Sequence, residues 1–421
     1  MLKIAIVGVG TVGESVVKIL QKNRDIIRAR SGKEIVVTKG AVRDIGKKRD
    51  VDIALTNDPY EITDDKDIDV VVELMGGVDE AYKVVKRALK NKKAVVTANK
   101  ALLAYHRFEL QNLAKDLPFE FEASVAGGIP IIKALREGLS ANHIEAIKGI
   151  MNGTCNYILT KMEKEGVDFE IVLKEAQELG YAEADPTFDI DGFDAAHKLL
   201  ILASIAYGID AKPEDILIEG IRGITSLDFA FAFEFGYTIK LLAIAKKNEN
   251  RVDLRVHPVL IPKEEMIAKI DGVMNGISVI GDFVGETMYY GPGAGGDATA
   301  SAVVSNLIDI ARGGKCSPML GYKRSLESGM SLASSDDIRS KYYIRVSVED
   351  KPGVLAKIAK LFGENRISIE SMLQKPEQKD MANLLFSTHK SYEKDIQNAL
   401  SELSKLDFIN KKPFMIRIEE N

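Results

Sequence analysis

Short apolar runs separated by longer amphipathic stretches mark the first 125 residues of the chain. The runs at 2–7, 35–42, 69–74, 94–97 and 119–123 have the length and aliphatic content of buried strands. Between them, 78–91 and 102–115 carry apolar residues at helical intervals. Strands buried on both faces and joined by helical crossovers make a parallel sheet, so this part of the chain predicts an α/β layer structure. From about 126 to 295 the rhythm changes to helices mixed with longer strands, among them 237–245 and 252–260, which predicts an α+β domain. An amphipathic helix at 298–311 is expected to return and complete the first domain, giving it the extent 1–125 plus about 296–320.

Residues 313–341 are richer in Gly, Ser, Lys and Pro, and a linker is expected at 321–341. Beyond it, strand patterns at 343–348, 367–374, 382–388 and 414–418 and helical patterns at 354–365 and 394–406 follow a βαββαβ order. A small independent module is expected over 342–421.

Composition narrows the function classes. A chain of 421 residues exceeds one ordinary core, and 46% hydrophobic with 28% charged residues is normal for a globular protein. No apolar run approaches the ~18 residues of a membrane span, and the N-terminus enters a strand pattern without a signal-peptide core. The formal charge of -5 gives no global attraction to nucleic acid. Cys155 and Cys316 cannot build a disulfide framework and show no paired metal-ligand spacing. These features point to a cytoplasmic protein with neither a membrane nor a nucleic-acid partner.

Candidate chemistry begins at Gly8-Val9-Gly10-Thr11-Val12-Gly13, a Gly-x-Gly-x-x-Gly turn between the first strand and a helix. Such a turn lets pyrophosphate approach the backbone, and the helix N-terminus attracts the anion. Its place in a repeated βα pattern predicts a Rossmann-like domain for NAD or NADP. The second strand ends at Arg43-Asp44. Arg43, with Lys47, Lys48 and Arg49, suits the 2′-phosphate of NADP, whereas Asp44 suits the free ribose of NAD; NADP is modestly favoured.

A second constellation spans Gly180 to Lys198, with acids at Glu183, Asp185, Asp189, Asp191 and Asp194. Asp194 and Lys198 are spaced i,i+4 on a predicted helix and face one side, either as a surface ion pair or as working groups. Alcohol oxidation needs a group that takes the hydroxyl proton as hydride departs, and a lysine with a tuned pKa can do so. Lys198 is one candidate. Lys100, at the end of a sheet strand where ligands bind, is another. The two charges would oppose each other, while Asp194 would favour a charged Lys198.

Taken together, residues 1–320 resemble the homoserine dehydrogenase family. The resemblance rests on the glycine turn, Thr97-Ala98-Asn99-Lys100, the 122–130 segment, Asn152-Gly153-Thr154-Cys155-Asn156, the Gly180–Lys198 block and Gly291-Pro292-Gly293-Ala294-Gly295. It implies reversible NAD(P)-dependent interconversion of L-homoserine and L-aspartate 4-semialdehyde, on the route to threonine, isoleucine and methionine. It further implies Lys198 as acid/base and Lys100 as a second lysine at the reacting centre and cofactor. Glu183 and Asp194 would hold the substrate, with Asp189, Asp185 and Thr154 shaping its pocket. Thr97, Gly180, Gly293 and Gly295 would lie near the cofactor, alongside Gly8, Gly10, Thr11, Val12 and Gly13. A monovalent cation, Na+ or K+, would sit by Glu122, Val125, Gly127 and Ile129. Cys155 is expected to be a packed thiol, and His197 to face away from Lys198.

The tail resembles an ACT domain through Asp350-Lys351-Pro352-Gly353-Val354-Leu355. That resemblance implies an amino-acid effector such as threonine near Gly353 and Asn365, and pairing of modules into a homodimer or homotetramer. A non-enzymatic sensor of dinucleotide and amino acid, or a dehydrogenase of another amino-acid alcohol, are the competing readings.

Overall fold

The computed structural model describes residues 1–313, 317–324, 329–376 and 380–420, so Cys316 and part of the expected linker lie outside the described residues. The first sheet is parallel throughout. Its strands are β1 (Leu2–Val7), β2 (Ile35–Ala41), β3 (Ala54–Thr56), β4 (Val70–Glu73), β5 (Ala94–Thr97) and β6 (Phe119–Glu120), in the order β3-β2-β1-β4-β5-β6. That order reverses between β1 and β4, which opens a ligand crevice at their carboxyl ends. The helix at Gly296–Arg312 does return: Ala300, Val303, Val304 and Leu307 pack with Val16, Val17 and Leu20 of the Thr11–Lys22 helix. The three residues of β3 and the following short helix, Pro59–Asp64, are not evident from the hydrophobic pattern, because each is too short to show a period.

The second sheet gathers β7 (Ile144–Ile150), β8 (Leu217–Ile218), β9 (Tyr237–Asn248), β10 (Arg251–Pro262), β11 (Met274–Gly281) and β12 (Gly285–Pro292). Helices Gly153–Glu165 and Phe193–Tyr207 cover one face, with Ile158, Leu199 and Leu202 packed against Ile147 and Ala243. In the expected linker, β13 (Ser331–Leu332) pairs with the start of β10.

The C-terminal elements are β14 (Arg339–Glu349), a helix at Val354–Glu364, β15 (Ile369–Pro376), β16 (Met381–Thr388), β17 (Ser391–Tyr392), a helix at Glu393–Leu403 and β18 (Phe414–Ile418). The βαββαβ order thus holds, with β17 a two-residue addition. The module is not separate. β18 pairs in parallel with β10 through Val259–Arg417 and Leu260–Ile418, so one sheet runs β12-β11-β7-β9-β10-β18-β14-β16-β15. Among the described residues, no helix is long and apolar enough to cross a membrane.

Candidate active site

Three glycines shape the cofactor crevice, each for a different reason. Gly8 has φ of +105°, and a Cβ there would lie 2.6 Å from the Leu74 carbonyl oxygen. A Cβ on Gly13 would lie 2.6 Å from the Gly8 oxygen, so the helix can approach β1 only without one. Gly10 has nothing within 4 Å of its missing Cβ; it faces open space. A cavity of about 490 Å³ begins here, lined by Gly8, Gly10, Arg43, Arg49, Leu74 and Glu80. Arg49 is braced by the carbonyls of Val9, Asp44 and Lys47 at 2.8–2.9 Å. The Asp44 carboxylate turns back to accept from the Gly46 amide at 2.8 Å and does not line this cavity.

Thr97 does not reach the crevice. Its side chain is buried at the end of β5, donates to Glu73 at 2.5 Å and accepts from the Asn99 amide, so it supports the strand ends instead. Burial pushes the Glu73 carboxyl up to about 7, against the opposing bonds from Thr97 and the Met75 amide. Thr11 and Val12 open the helix at the crevice mouth, and neither side chain lines the cavity.

A second cavity, of about 470 Å³, is lined by Lys100, Asn152, Thr154, Glu183, Asp189, Asp194 and Lys198. Gly180, Gly293 and Gly295 complete its wall. The turn that carries Gly293 and Gly295 also meets the cofactor side, since a Cβ on Gly296 would press on Thr11 at 2.9 Å. Asn99 caps the Lys100–Ala114 helix through the Leu102 amide, which starts that helix at Lys100 and sends its side chain across to Asp194.

Asp194 is the hub. One oxygen receives Lys100, and the other receives Lys198 at 2.8 Å and Asn152 Nδ2 at 2.8 Å. Lys198 Nζ also donates to the Met151 carbonyl at 2.6 Å. Burial would raise the Asp194 carboxyl, but the two ammonium groups hold it well below the usual carboxylate range. Burial, seconded by the Lys100 charge, pushes Lys198 down against the pull of Asp194, which settles the direction that the sequence left open. Asp189 is raised by burial and by Asp194.

Asn152 enters the sequence pattern only as part of the Asn152–Asn156 motif. Its Oδ1 caps the Gly153–Glu165 helix on the Cys155 amide, and its Nδ2 bonds both Asp189 and Asp194 at 2.8 Å. The signal for it was an Asn directly before a helical run. Glu73 and Asn275, the latter buried against Gly293 in the cavity wall, carried no such signal.

Other expectations divide. Thr154 lines the cavity and donates to the Tyr181 carbonyl at 2.5 Å. Glu183 is exposed at the rim. Asp185 is not in the cavity wall; its carboxylate is spent capping the Thr187 amide at 3.1 Å, as a short acidic side chain does at a turn. Cys155 is buried and its thiol donates to the Asp189 carbonyl at 3.2 Å, with burial raising its pKa. His197 turns from Lys198 to pack edge-on against Tyr105 and Phe188, and burial lowers its pKa to about 4.

Near the same wall, Glu122 is buried and accepts from the Ile132 and Lys133 amides at 2.8 and 3.0 Å, with its carboxyl pushed up to about 7 by burial. Ala126 and Gly127 follow with positive φ, and Ile129 accepts from the Ile131 amide. In the C-terminal module, Gly353 begins and Asn365 ends the same helix, Val354–Glu364. Twelve rises of ~1.5 Å separate them by roughly 18 Å, so one small ligand cannot touch both within a single module.

A Rossmann order with a glycine-lined crevice at its switch point, and a second cavity lined by lysines and carboxylates, define an oxidoreductase that uses a nicotinamide dinucleotide. The comparisons narrow the class. The family profile described as "Homoserine dehydrogenase, NAD binding domain" matches residues 8–122, "Homoserine dehydrogenase" matches 130–308, and "ACT domain" matches 342–408. A homoserine dehydrogenase of Helicobacter pylori is 54% identical over 99% of each chain. The crystal structure of a homoserine dehydrogenase from Thiobacillus denitrificans superposes with a TM-score of 0.92 at 43% identity, covering 100% of this chain and 98% of that one. A hyperthermophilic archaeal homoserine dehydrogenase in complex with NADPH matches at TM-score 0.62 and 31% identity, covering 73% of this chain and 97% of that one. The chain belongs to the homoserine dehydrogenase family.

Proposed function

We propose that the chain interconverts L-homoserine and L-aspartate 4-semialdehyde, with NADP the preferred dinucleotide. The observation that carries this reading is the Lys198–Asp194–Lys100 cluster, in which Lys198 and Asp194 are buried and Lys100 is part-exposed, lining the second cavity. The nicotinamide ring, when bound, accepts or returns the hydride. Lys198 takes the hydroxyl proton of homoserine and gives it back to the aldehyde oxygen in the reverse direction. Its lowered pKa suits the task, because a base is useful only where its neutral form is populated. Lys100, beside the same carboxylate, helps to hold down that pKa and stabilises negative charge on the reacting oxygen. Glu183 at the rim and Asp189 at the wall bind the substrate ammonium by charge-assisted hydrogen bonds. Thr154 and Gly180 bound the pocket.

The NADP preference is supported by Arg43 and Arg49 in the crevice and by the occupied carboxylate of Asp44. A monovalent cation is proposed at Glu122, with the main-chain carbonyls of Val125, Gly127 and Ile129. Glu122 is a buried carboxylate and the turn that follows has positive φ at Ala126 and Gly127; a carboxylate with main-chain carbonyls is a donor set of hard oxygens that fits Na+ or K+. The chain is proposed to work in the cytoplasm as a homodimer or homotetramer. β15, at the end of its sheet path, offers a strand edge to a second copy, and pairing would bring Gly353 of one module towards Asn365 of another to hold threonine.

The test is a substrate panel. Homoserine, serine, threonine and related amino-acid alcohols are each supplied with NADP+ and NAD+, and reduced cofactor is followed by absorbance. Rapid homoserine-dependent reduction of NADP+ is expected, and its absence with both cofactors would reject the proposal.

A further inference from the structure

The acids of the second cavity are held from behind by a segment that the C-terminal module grips at several points. A Cβ on Gly220 would lie 2.4 Å from the Ile190 oxygen and 2.6 Å from the Asp191 Cα, so residues 219–222 press directly on the 187–192 turn. The Ile221 amide donates to the Ile190 carbonyl at 2.9 Å, and Arg222 donates to Asp191 at 2.6 Å and to Thr187 at 3.3 Å. That turn carries Asp189 and leads into the helix of Asp194 and Lys198.

On its other side, the segment faces β14 and β18. Arg417, fully buried, grips Glu219 through two nitrogens at 2.7 and 3.0 Å and Glu393 through two bonds at 2.9 and 2.6 Å. Arg345 donates to the Gly223 carbonyl at 3.0 Å and to Asp228 at 2.9 Å, where Tyr343 also donates at 2.6 Å. Gly223 lies under the Phe414 ring, which leaves no room for a Cβ.

We infer that residues 219–228 form a strut by which the C-terminal sheet sets the position of Asp189 and Asp194, with Glu219 as a positioning residue for substrate binding. The arrangement is two-sided: Glu219 answers to Arg417, while its neighbours Gly220 and Ile221 answer to the acidic turn. A shift of β18 therefore reaches Asp189 through the Gly220–Ile190 contact, without passing through the cofactor domain. The kinetic part of this inference rests on the proposed homoserine reaction; the structural part does not.

The experiment uses the full chain as wild type, Glu219→Gln and Arg222→Ala. Hydrogen exchange of the 187–196 amides is read by mass spectrometry, beside steady-state kinetics and thermal melting. Faster exchange at 187–192 is expected in both variants, with exchange around Gly8–Gly13 unchanged. The KM for homoserine should rise roughly threefold to thirtyfold, the range expected of coupling through packed residues, at near-constant kcat and NADPH affinity. Wild-type exchange at 187–192 in folded variants overturns the inference, as does a fall in melting temperature with KM unchanged. An inactive wild type would reject the proposed reaction, and the exchange result would still decide the strut.

Discussion

At the scale of single residues, the site is a contest over protons. Lys198 is lowered by burial and by Lys100, and raised by Asp194. On the proposed mechanism homoserine oxidation needs neutral Lys198, so its rate should climb with pH to a limit reached below the ordinary lysine range. Replacing Lys100 with Met removes a like charge, which raises the Lys198 pKa; the ascending limb of the kcat profile should move to higher pH, and an unmoved limb would remove Lys100 from that role. Asn152 feeds two acids and one helix at once. Asn152→Ala leaves buried Asp194 and half-buried Asp189 short of a donor, at a cost of about 1–3 kcal/mol, and should raise the KM for homoserine as well as lower the melting temperature. Glu73 offers a cleaner sign. Its folded pKa of about 7 exceeds the carboxylate's ordinary 4.5, so the folded state binds the extra proton and stability is lost as pH climbs through that interval. The melting temperature of Glu73→Gln relative to wild type should therefore increase from pH 5 to pH 8, and a constant difference would contradict it.

At the scale of elements, most of the layout was legible because its patterns are periodic. The five strand runs before residue 125 all fall on observed strands, and the returning helix packs as expected on the glycine-turn helix. The glycines were legible as a motif but not in their division of labour, which depends on what each missing Cβ would meet. Gly13→Ala should weaken NADPH binding by pushing the helix from β1, with a drop in melting temperature. Gly10→Ala should weaken binding with little effect on melting, since nothing of the protein stands near that position. Fluorescence titration and calorimetry separate the two, and equal melting losses would refute this assignment. Asp185 and Thr97 show the limit of motif reasoning. Both stand within the segments on which the resemblance rests, yet one caps a turn and the other braces strand ends.

At the scale of the whole molecule, the sequence predicted a C-terminal module of the correct order but an independent one. The pairing of β18 with β10 escaped it, because alternation marks a strand without naming its neighbour. The consequence is that the module is part of the catalytic sheet. Chains truncated before β14 would bare the β10 edge and leave buried Asp228 without Tyr343 and Arg345. They should melt at markedly lower temperature and aggregate; a truncated chain with wild-type melting would show the module to be an appendage.

The central proposal is that Lys198 moves the substrate proton in the second cavity, next to the glycine-turn crevice. Its most direct measurement is single-turnover NADP+ reduction by wild type and Lys198→Met, with NADPH affinity determined alongside. The account predicts a loss of roughly a hundredfold to ten-thousandfold in the chemical step, the usual worth of a positioned acid/base, with affinity for NADPH retained. A variant that reduces NADP+ at the wild-type rate would contradict it.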